Sequence, residues 1–593
     1  MMFDRRRWLQ TAVGSSLLFL AQPARSERKQ LTAAKERSLR LYTLETGHQI
    51  DRGGPIVATK DNRVLWFTID PEAPYLSPHI WASTRLLIHE SRDLCKSWES
   101  PRVVAHGTPN YSVLSHVAFQ LRGGDLVHMY VRFGGYDHIG HDPEKSSNPV
   151  FIQRSSDGGL TWGEGALLPT GERYISDVLS MTQISTGRVI YPFGYLTREK
   201  GQFKVSVLYS DDEARSWKRS SSVLGVGGTG FESGATEPSV VELPDGRLWM
   251  LIRAQTGFLW ESFSSDGGTT WNPSRESRLP CSNAPGTALS LSSGKVVVVW
   301  NNHVDSAYAR QSLVVAQTED GSTFTGFREI DHIDFPEDPG ERAAHVTYPF
   351  LAEAPEGSIL VSYNAGFWLR HNRAKLARID PDWIRPRREA EDFRSGRSGW
   401  CTTNPGLART AAIERYAAPE DDAPGASLEI EQPDNSRKPC GITRNLPLAA
   451  ECEMIITLSV PRPDAYLLWH DSLLAPGQIA EACLRVRFSK EGNVFLAAGT
   501  PTRTNADRKG LTYSYLAYPI LKEQRYPQTI ALGRRFQVKL RLSAAASKVW
   551  FRINDGPEVS LSIPPILALC HFGIAVAEGG LLRLRRYESV PSS

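Results

Sequence analysis

The chain has 593 residues, of which 41% are hydrophobic and 22% are charged, and its formal net charge at pH 7 is +3. This length exceeds that of one ordinary domain, so two or three domains are expected, and the composition is that of a globular protein. Because the charge is nearly balanced and no block of Lys or Arg occurs beyond the N-terminus, no nucleic-acid partner is expected.

The segment 1–26 has the pattern of an export signal rather than of a folded element. Arg5, Arg6 and Arg7 precede an apolar run over 11–21, and small side chains follow near Ala24. The paired arginines before Trp and Leu are similar to a twin-arginine signal, and the run is too short to span a bilayer. The pattern predicts a bacterial protein that is periplasmic or secreted, whether the signal is cleaved or kept as an anchor.

One short pattern, Ser-x-Asp-x-Gly-x-Thr-Trp, recurs in the first part of the chain. Two complete copies begin at Ser155 and Ser264, two weaker copies begin at Ser91 and Ser210, and a shortened copy begins at Asp320. The Asp of each copy stands at position 93, 157, 212, 266 or 320, so the interval between successive copies is nearly constant. A regular period of this size indicates an array of one supersecondary unit.

Each copy falls where a strand-like run breaks into a turn. The runs at 150–154 and 203–209 alternate or are β-branched, which is typical of strands. Asp and Gly favour a tight turn and tolerate a positive φ, and the following Trp returns to the apolar layer. Each copy is therefore predicted to be a hairpin turn in one blade of a β-propeller.

Further strands are predicted along residues 40–385, with almost no helix. They cover 54–60, 63–69, 113–121, 126–133, 189–193, 239–243, 248–253, 296–300, 347–352 and 359–364. Five copies of the pattern and a last unit without one suggest six blades.

Residues 386–400 are charged and contain Gly and Ser, which is the composition of a linker. Beyond it, strands without the repeated pattern are predicted at 427–430, 452–460, 484–488, 536–542 and 549–553. They indicate a β-sandwich over 401–590, lectin-like or jelly-roll, that either binds carbohydrate or is only structural. The predicted fold class is all-β: a six-bladed β-propeller followed by a β-sandwich domain.

The seven cysteines show no Cys-x-x-Cys spacing, so no metal site and no cofactor are expected. Five of them follow residue 400. One or two disulfides, such as Cys401–Cys440, would be possible in an oxidising compartment, whereas free buried thiols are the alternative if folding precedes export.

The repeated pattern resembles the Asp box, or BNR repeat, of the sialidase (neuraminidase) superfamily, and the resemblance covers about residues 40–385. It implies a sialidase-like propeller in which the boxes brace turns at the outer rim and do no catalysis. In that family three arginines hold the substrate carboxylate, a tyrosine activated by a glutamate attacks the sugar, and an aspartate protonates the leaving group.

Four positions match this scheme. Glu237, in Thr-Glu-Pro, matches the activating glutamate, and Arg253, at the end of the next strand, matches the second arginine. Arg310 precedes the strand into the fifth box, as the third arginine does, and Tyr348, in Thr-Tyr-Pro, opens the last inner strand at the place of the nucleophile. Each also has a purely structural interpretation, and Tyr363 is a competing tyrosine.

Two positions depart from the scheme. The family's Arg-Ile-Pro is replaced by Arg52-Gly53-Gly54-Pro55, so Arg52 is either the first arginine or an unrelated turn residue. The acid is matched only by Asp70 or Asp51. Four histidines lie between 116 and 141, and an imidazole such as that of His116 can replace a carboxylate as acid or base, although most such histidines are surface residues.

Three functional hypotheses follow, all with a glycan or polysaccharide as partner. The first is an exported exo-glycosidase of the sialidase type that releases a terminal acidic sugar with retention, with the roles given above and Asp70 as the acid. The second is a lyase that acts on uronic-acid polymers through His116, Tyr348 and Arg253. The third is a carbohydrate-binding protein without catalysis.

Overall fold

The structure is a computed structural model of the chain. It describes residues 39–43, 53–71, 84–137, 140, 142–198, 202–227, 229–230, 233–303, 310–333, 344–367, 370–386, 388–391, 393, 400–401, 413–417, 427–432, 439–445, 451–472, 479–508, 511–565, 568–577 and 579–591. Nearly every element in these ranges is a strand, which confirms the all-β prediction. The predicted export signal lies outside them. In the described ranges, no helix has the length and apolar character needed to cross a membrane.

Residues 39–379 form six antiparallel sheets of four main strands each within the described ranges. The first strand of the chain is β1 (Leu39–Thr43). Sheet 1 has β2 (Gly53–Ala58), β3 (Val64–Pro71), β4 (Thr84–Ser91) and β5 (Arg102–His106); sheet 2 has β6 (Ser112–Gln120), β7 (Leu126–Phe133), β8 (Val150–Ser155) and β9 (Ala166–Leu167). Sheet 3 has β10 (Thr182–Gln183), β11 (Val189–Leu196), β12 (Gln202–Ser210) and β13 (Lys218–Arg219), followed by the short strands β14 (Thr229–Gly230) and β15 (Ser233–Gly234).

The other three sheets of this region follow in chain order. Sheet 4 has β16 (Thr236–Glu242), β17 (Leu248–Arg253), β18 (Phe258–Ser264) and β19 (Arg275–Pro280); sheet 5 has β20 (Thr287–Ser290), β21 (Val296–Trp300), β22 (Ser312–Thr318) and β23 (Thr325–His332). Sheet 6 has β24 (Ala344–Glu353), β25 (Ile359–Phe367) and β26 (Arg370–Ile379), and α1 (Pro381–Ile384) follows it. Strand β1 pairs with β26 and completes sheet 6.

The inner strands of neighbouring sheets are in contact, and they are the first strands of their sheets except in sheet 3, where the inner strand is β11. Strand β11 contacts β16, β16 contacts β20, β20 contacts β24, and β2 contacts both β24 and β6. These strands therefore lie on the inner side of the arrangement, and residues at their N-terminal ends can meet although they are far apart in sequence.

The repeated pattern forms the turn between the third and fourth strands of sheets 1 to 5. Asp157 Oδ1 accepts hydrogen bonds from the backbone N–H groups of Leu160 (3.0 Å) and Thr161 (2.9 Å), and Ser155 Oγ accepts one from Gly159 N–H (2.8 Å). Corresponding bonds recur at Asp93, Asp212, Asp266 and Asp320. Because the acidic side chains are used for the turns, these residues brace the outer hairpins.

The strands after residue 385 form two sheets around one apolar core. One sheet contains β27 (Glu389–Glu391), β29 (Ile413–Ala417), β30 (Ser427–Glu431), β32 (Glu451–Arg462), β39 (Arg535–Ser543), β40 (Lys548–Ile553), β41 (Val559–Ser562) and β43 (Leu581–Pro591). The other contains β28 (Trp400–Cys401), β31 (Cys440–Asn445), β33 (Ala465–His470), β34 (Leu484–Phe488), β35 (Asn493–Ala498), β38 (Gln524–Thr529) and β42 (His571–Val576). Both contribute alternate residues to the core, as expected for a sandwich. Strand β27, inside the predicted linker, pairs with β43.

A hairpin of the C-terminal domain reaches the propeller. Strands β36 (Thr502–Arg508) and β37 (Leu511–Ala517) form this hairpin, and β37 pairs with β14, which lies shortly before β16. Arg503 Nη1 donates a hydrogen bond to the carbonyl oxygen of Thr256 at 2.7 Å, shortly after the end of β17 at Arg253. The two domains are thus in contact close to the ends of the strands that carry Glu237 and Arg253.

The expected Cys401–Cys440 disulfide is wrong. In the pairing of β28 with β31, Cys401 lies opposite Thr443 rather than Cys440. A displacement of three positions along a strand is about 10 Å, which is too far for a disulfide. The six cysteines whose side chains are described, Cys440 among them, are free and buried, which is the alternative expected for folding before export.

We predict that stability falls as the pH falls below about 6.5. Burial lowers the pKa of His89 to about 4 and the pKa values of His128 and His571 to about 3. Between these values and the unfolded pKa, only the unfolded chain binds the protons, so each histidine lowers the free energy of unfolding by up to about 1.4 kcal/mol per pH unit. Urea midpoints at pH 7.5, 6.0 and 5.0 test this, and an undiminished slope in His128→Gln would contradict the role of His128.

Candidate functional site

Two inner strands are interrupted at the residues that the sequence singled out. The pairing of β16 with β17 shifts register between Thr236 and Ser239, and that of β24 with β25 shifts between Thr347 and Phe350. Glu237 and Tyr348 lie in these bulges with φ values of 47° and 59°. Proline follows each of them and cannot donate to the ladder, and a bulge re-aims the side chain that it carries. Positive φ values at residues other than glycine are uncommon and occur often at functional sites.

Glu237, Arg253 and Tyr348 meet in one cluster. Tyr348 Oη donates a hydrogen bond to Glu237 Oε1 at 3.0 Å. Arg253 Nη1 donates to the same oxygen at 2.6 Å and to Tyr348 Oη at 3.3 Å. All three side chains are buried, and they come from sheets 4 and 6. The structure therefore brings a phenol, a carboxylate and a guanidinium together at the inner edges of two sheets.

Arg310 and Asn283 complete what we call the central site, which consists of Glu237, Arg253, Asn283, Arg310 and Tyr348. Asn283 Oδ1 accepts a hydrogen bond from Arg253 Nε at 2.8 Å, and its backbone oxygen accepts one from Arg310 Nη2 at 2.5 Å. The Arg310 guanidinium carbon lies 5.4 Å from the centre of the Tyr348 ring. Asn283 thus holds both arginines. It lies in an irregular segment before β20, and no sequence pattern there marks it as a site residue.

Two of the hydrogen-bond donor atoms of Arg310 are unused among the described residues. Its Nε and Nη1 atoms are buried, and they have no hydrogen-bond partner among the described residues. The same holds for Glu237 Oε2. Buried donors without partners are costly, and a planar guanidinium matches the two oxygens of a carboxylate. The central site can therefore receive an anionic group beside the Tyr348 ring.

Burial and the neighbouring charges together set the pKa of the Tyr348 phenol. Burial, followed by the negative charge of Glu237, raises the pKa of Tyr348 to about 12, while Arg253 and Arg310 oppose this shift. The phenol is therefore neutral at neutral pH. Since its hydrogen already points to Glu237, it can become a nucleophile when that carboxylate takes the proton.

His116 lies on another inner strand and contacts an aspartate that the sequence reasoning missed. The pairing of β6 with β7 shifts register between Ser115 and Val117, so His116 also lies in a bulge. His116 is 1% exposed, and its Nε2 atom lies 3.4 Å from Asp177 Oδ1. Both ring nitrogens lack a hydrogen-bond partner among the described residues.

Asp177 lies close to the central site. The preceding residue, Ser176, pairs with sheet 3 through its backbone N–H, and its Oγ accepts a hydrogen bond from the backbone N–H of Glu237 at 3.2 Å. The charge of Asp177 also contributes to the raised pKa of Tyr348. A signal was present in the spacing, because the interval from His116 to Asp177 nearly equals that from Asp177 to Glu237, and both are close to the period of the boxes.

Two further predicted residues, Asp70 and Tyr363, make other contacts in the described part of the chain. Asp70, near the end of β3, forms an ion pair with Arg85, the residue opposite it on β4. The other carboxylate oxygen of Asp70, Oδ1, is buried and has no hydrogen-bond partner in the described part of the chain. Tyr363 donates its hydroxyl hydrogen to Asp331 at 2.9 Å, so the competing tyrosine is engaged on the second strand of sheet 6. Arg52 and Asp51 fall outside the described residues.

Comparison with known proteins shows the following relationships. The BNR repeat-like domain family matches residues 79–361. The sialidase of Micromonospora viridifaciens is 24% identical over 365 residues, which cover 53% of this chain and 51% of that protein. The anhydrosialidase of Macrobdella decora is 28% identical over 155 residues, which cover 24% and 19%. The chain thus spans about half the length of the first relative and about a fifth of the second.

Solved structures resemble the chain less closely. A protein of unknown function from Dyadobacter fermentans DSM 18053 matches with a TM-score of 0.46 and 16% identity, over 58% of this chain and 100% of that one. The sialidase of Trypanosoma rangeli matches with a TM-score of 0.41 and 11% identity, over 92% and 94%. Residues 79–361 match the BNR repeat-like domain family and form a β-propeller, and the chain is similar to sialidases over about half of its length.

Proposed function

We propose that this protein is an exported exo-glycosidase that hydrolyses a terminal acidic sugar, sialic acid or a similar one, from a glycan with retention of configuration. The contact that supports this most directly is the hydrogen bond from Tyr348 to Glu237. Arg253 and Arg310 both lie beside the Tyr348 side chain. The relatedness to two proteins named as sialidases supports the same class. The export signal predicted over 1–26 supports a location outside the cytoplasm.

In this proposal each residue of the central site has one task. Arg253 and Arg310, with Arg52, bind the carboxylate of the sugar. Tyr348 Oη forms a bond with the anomeric carbon while its proton passes to Glu237, and the bond to the leaving oxygen breaks. Water then hydrolyses the tyrosyl intermediate and the phenol is restored. A neutral nucleophile suits an anionic substrate, because the substrate carboxylate would repel a negatively charged nucleophile.

The proton for the leaving group requires a separate donor, and we assign this task to Asp177 rather than to Asp70. The Asp70 carboxylate is engaged by Arg85, the residue opposite it on β4. Asp177 is partly exposed, with its side chain 20% accessible, and it has the buried imidazole of His116 beside it. His116 can hold this carboxylate in place and exchange a proton with it.

The test of this function is product formation by the full chain. We expect release of the fluorophore from an aryl α-sialoside, with free sialic acid as the sugar product, and no release from the matching aryl β-galactoside, which lacks the carboxylate. Hydrolysis of the galactoside at an equal rate, or no hydrolysis of a panel of aryl glycosides of acidic sugars, would contradict the proposal.

A second candidate is a lyase that acts on polymers containing uronic acid. The observation in its favour is His116, a buried imidazole whose ring nitrogens have no hydrogen-bond partner among the described residues. Such a base could remove the proton beside the carboxylate, with Tyr348 and Arg253 assisting. The product would be an unsaturated uronide, which absorbs in the ultraviolet, so absorbance during digestion separates the two candidates.

A further inference from the structure

The boundary between the propeller and the C-terminal domain contains a buried polar cluster that the proposed function does not use. On the propeller side, Asn302 follows β21 and donates a hydrogen bond through Nδ2 to the backbone oxygen of Asp471 at 3.2 Å. The same atom lies 3.2 Å from Cys570 Sγ. Both domains therefore contribute to this cluster, and Asp471 lies at its centre.

Three side chains of the C-terminal domain converge there. A ring nitrogen of His470, a carboxylate oxygen of Asp471 and the thiol of Cys483 all lie within 4.8 Å of one another, and all three residues are buried. The strand register explains the meeting, because Trp469 pairs with Leu484 and the next pair of positions is His470 with Cys483. A His-Asp pair followed much later by a single cysteine is not a familiar metal-binding pattern, so no site was expected here from the sequence.

A ring nitrogen of His470 and a carboxylate oxygen of Asp471 lie side by side in this cluster. The backbone N–H and the hydroxyl of Ser472 lie 3.2 Å and 3.0 Å from His470 Nδ1, and this ring nitrogen lies 2.9 Å from Asp471 Oδ1. That carboxylate oxygen is buried and has no hydrogen-bond partner among the described residues, whereas Oδ2 accepts one from Tyr518 Oη at 2.9 Å. A buried carboxylate oxygen without a hydrogen-bond partner is costly, and a cation bound by this oxygen and the neighbouring imidazole would offset that cost.

The donor atoms indicate which cation suits the cluster. One nitrogen, one oxygen and one sulfur atom form a set typical of zinc, whereas calcium and magnesium prefer oxygen atoms alone. Bonds of about 2.0–2.3 Å to a tetrahedral zinc ion place the donor atoms about 3.3–3.8 Å apart, which lies within the span of this group.

We propose that His470, Asp471 and Cys483 bind one zinc ion, with the fourth position open to a further donor. The ion fixes the segment after β33, whose backbone receives the hydrogen bond from Asn302 of the propeller. Its role is structural, because it holds the C-terminal domain against the propeller. It lies outside the central site and takes no part in the proposed hydrolysis.

Metal analysis of the full chain tests this proposal. We expect about one zinc ion per chain after dialysis against zinc chloride and removal of free metal, and almost none in Asp471→Asn and Cys483→Ser. Cys452→Ser is the matched control, because it places a hydroxyl at another buried cysteine of the same domain and should retain the zinc. A wild-type chain without zinc, or variants Asp471→Asn and Cys483→Ser that keep it, would overturn the proposal.

A second measurement needs no variant and therefore applies even if a substitution prevents folding. Cobalt in place of zinc should produce a thiolate-to-metal charge-transfer band in the near ultraviolet, and removal of the metal with a chelator should lower the melting temperature and speed proteolysis between the domains. A cobalt spectrum without the thiolate band would exclude Cys483 as a ligand, and an unchanged melting temperature would exclude the structural role.

Discussion

Tyr348→Phe is expected to lower kcat on an aryl sialoside by about three orders of magnitude or more, because it removes the atom that attacks the sugar. The substitution deletes one hydroxyl group, whose contacts are with Glu237 and Arg253. Those two residues retain their ion pair of 2.6 Å, so the site should keep its shape and its affinity for the substrate carboxylate. Steady-state kinetics and binding of a non-hydrolysable sialoside measure the two effects separately.

Tyr363→Phe is the matched control. It removes a buried hydroxyl in the same sheet that also bonds to a carboxylate, that of Asp331, which keeps its bond to Lys375 at 2.9 Å. The Tyr363 variant should retain nearly full activity. If Tyr348→Phe remained as active as the wild type, Tyr348 would not be the nucleophile; if both variants bound the sugar normally and the wild type had no activity, the chain would be a binding protein.

Asp177→Asn should have an effect that depends on the leaving group. For an alkyl sialoside, whose leaving oxygen must be protonated, kcat/KM should fall about 10²- to 10⁴-fold, the usual contribution of a general acid. For an aryl sialoside with an acidic phenol as leaving group, the loss should be much smaller, because departure requires little help. His116→Gln should show the same dependence on the leaving group to a smaller extent, since His116 lies 3.4 Å from the Asp177 carboxylate.

Asp70→Asn distinguishes the two candidate acids. It has the same chemistry as Asp177→Asn, but it removes the ion pair with Arg85. It should affect both substrates to the same extent, through stability alone. If the leaving-group dependence appeared in Asp70→Asn and not in Asp177→Asn, the acid would be Asp70, as the sequence pattern first indicated, while the assignment of Tyr348 and Glu237 would stand.

Local signals in the sequence identified the repeated units well. The Asp boxes could be found because a turn braced by an Asp side chain needs particular residues at adjacent positions, as the bonds of Asp157 illustrate. Strands such as Leu248–Arg253 and Val296–Trp300 were predicted with the bounds that the structure has, because turn residues flank them. Thr-Glu-Pro and Thr-Tyr-Pro marked positions that the structure shows to be bulges.

The all-β class and the repeat could be identified without coordinates, and Glu237, Arg253, Arg310 and Tyr348 could be proposed as site residues, because each depends on short-range chemistry or on a family pattern. Three-dimensional packing was needed to establish that Asn283 holds both arginines, that Asp177 stands beside His116, and that Asp70 is bound to Arg85. These contacts join sheets or strands whose relative positions follow from packing. Since no local pattern encodes distances between residues so far apart in the chain, folding alone brings them together.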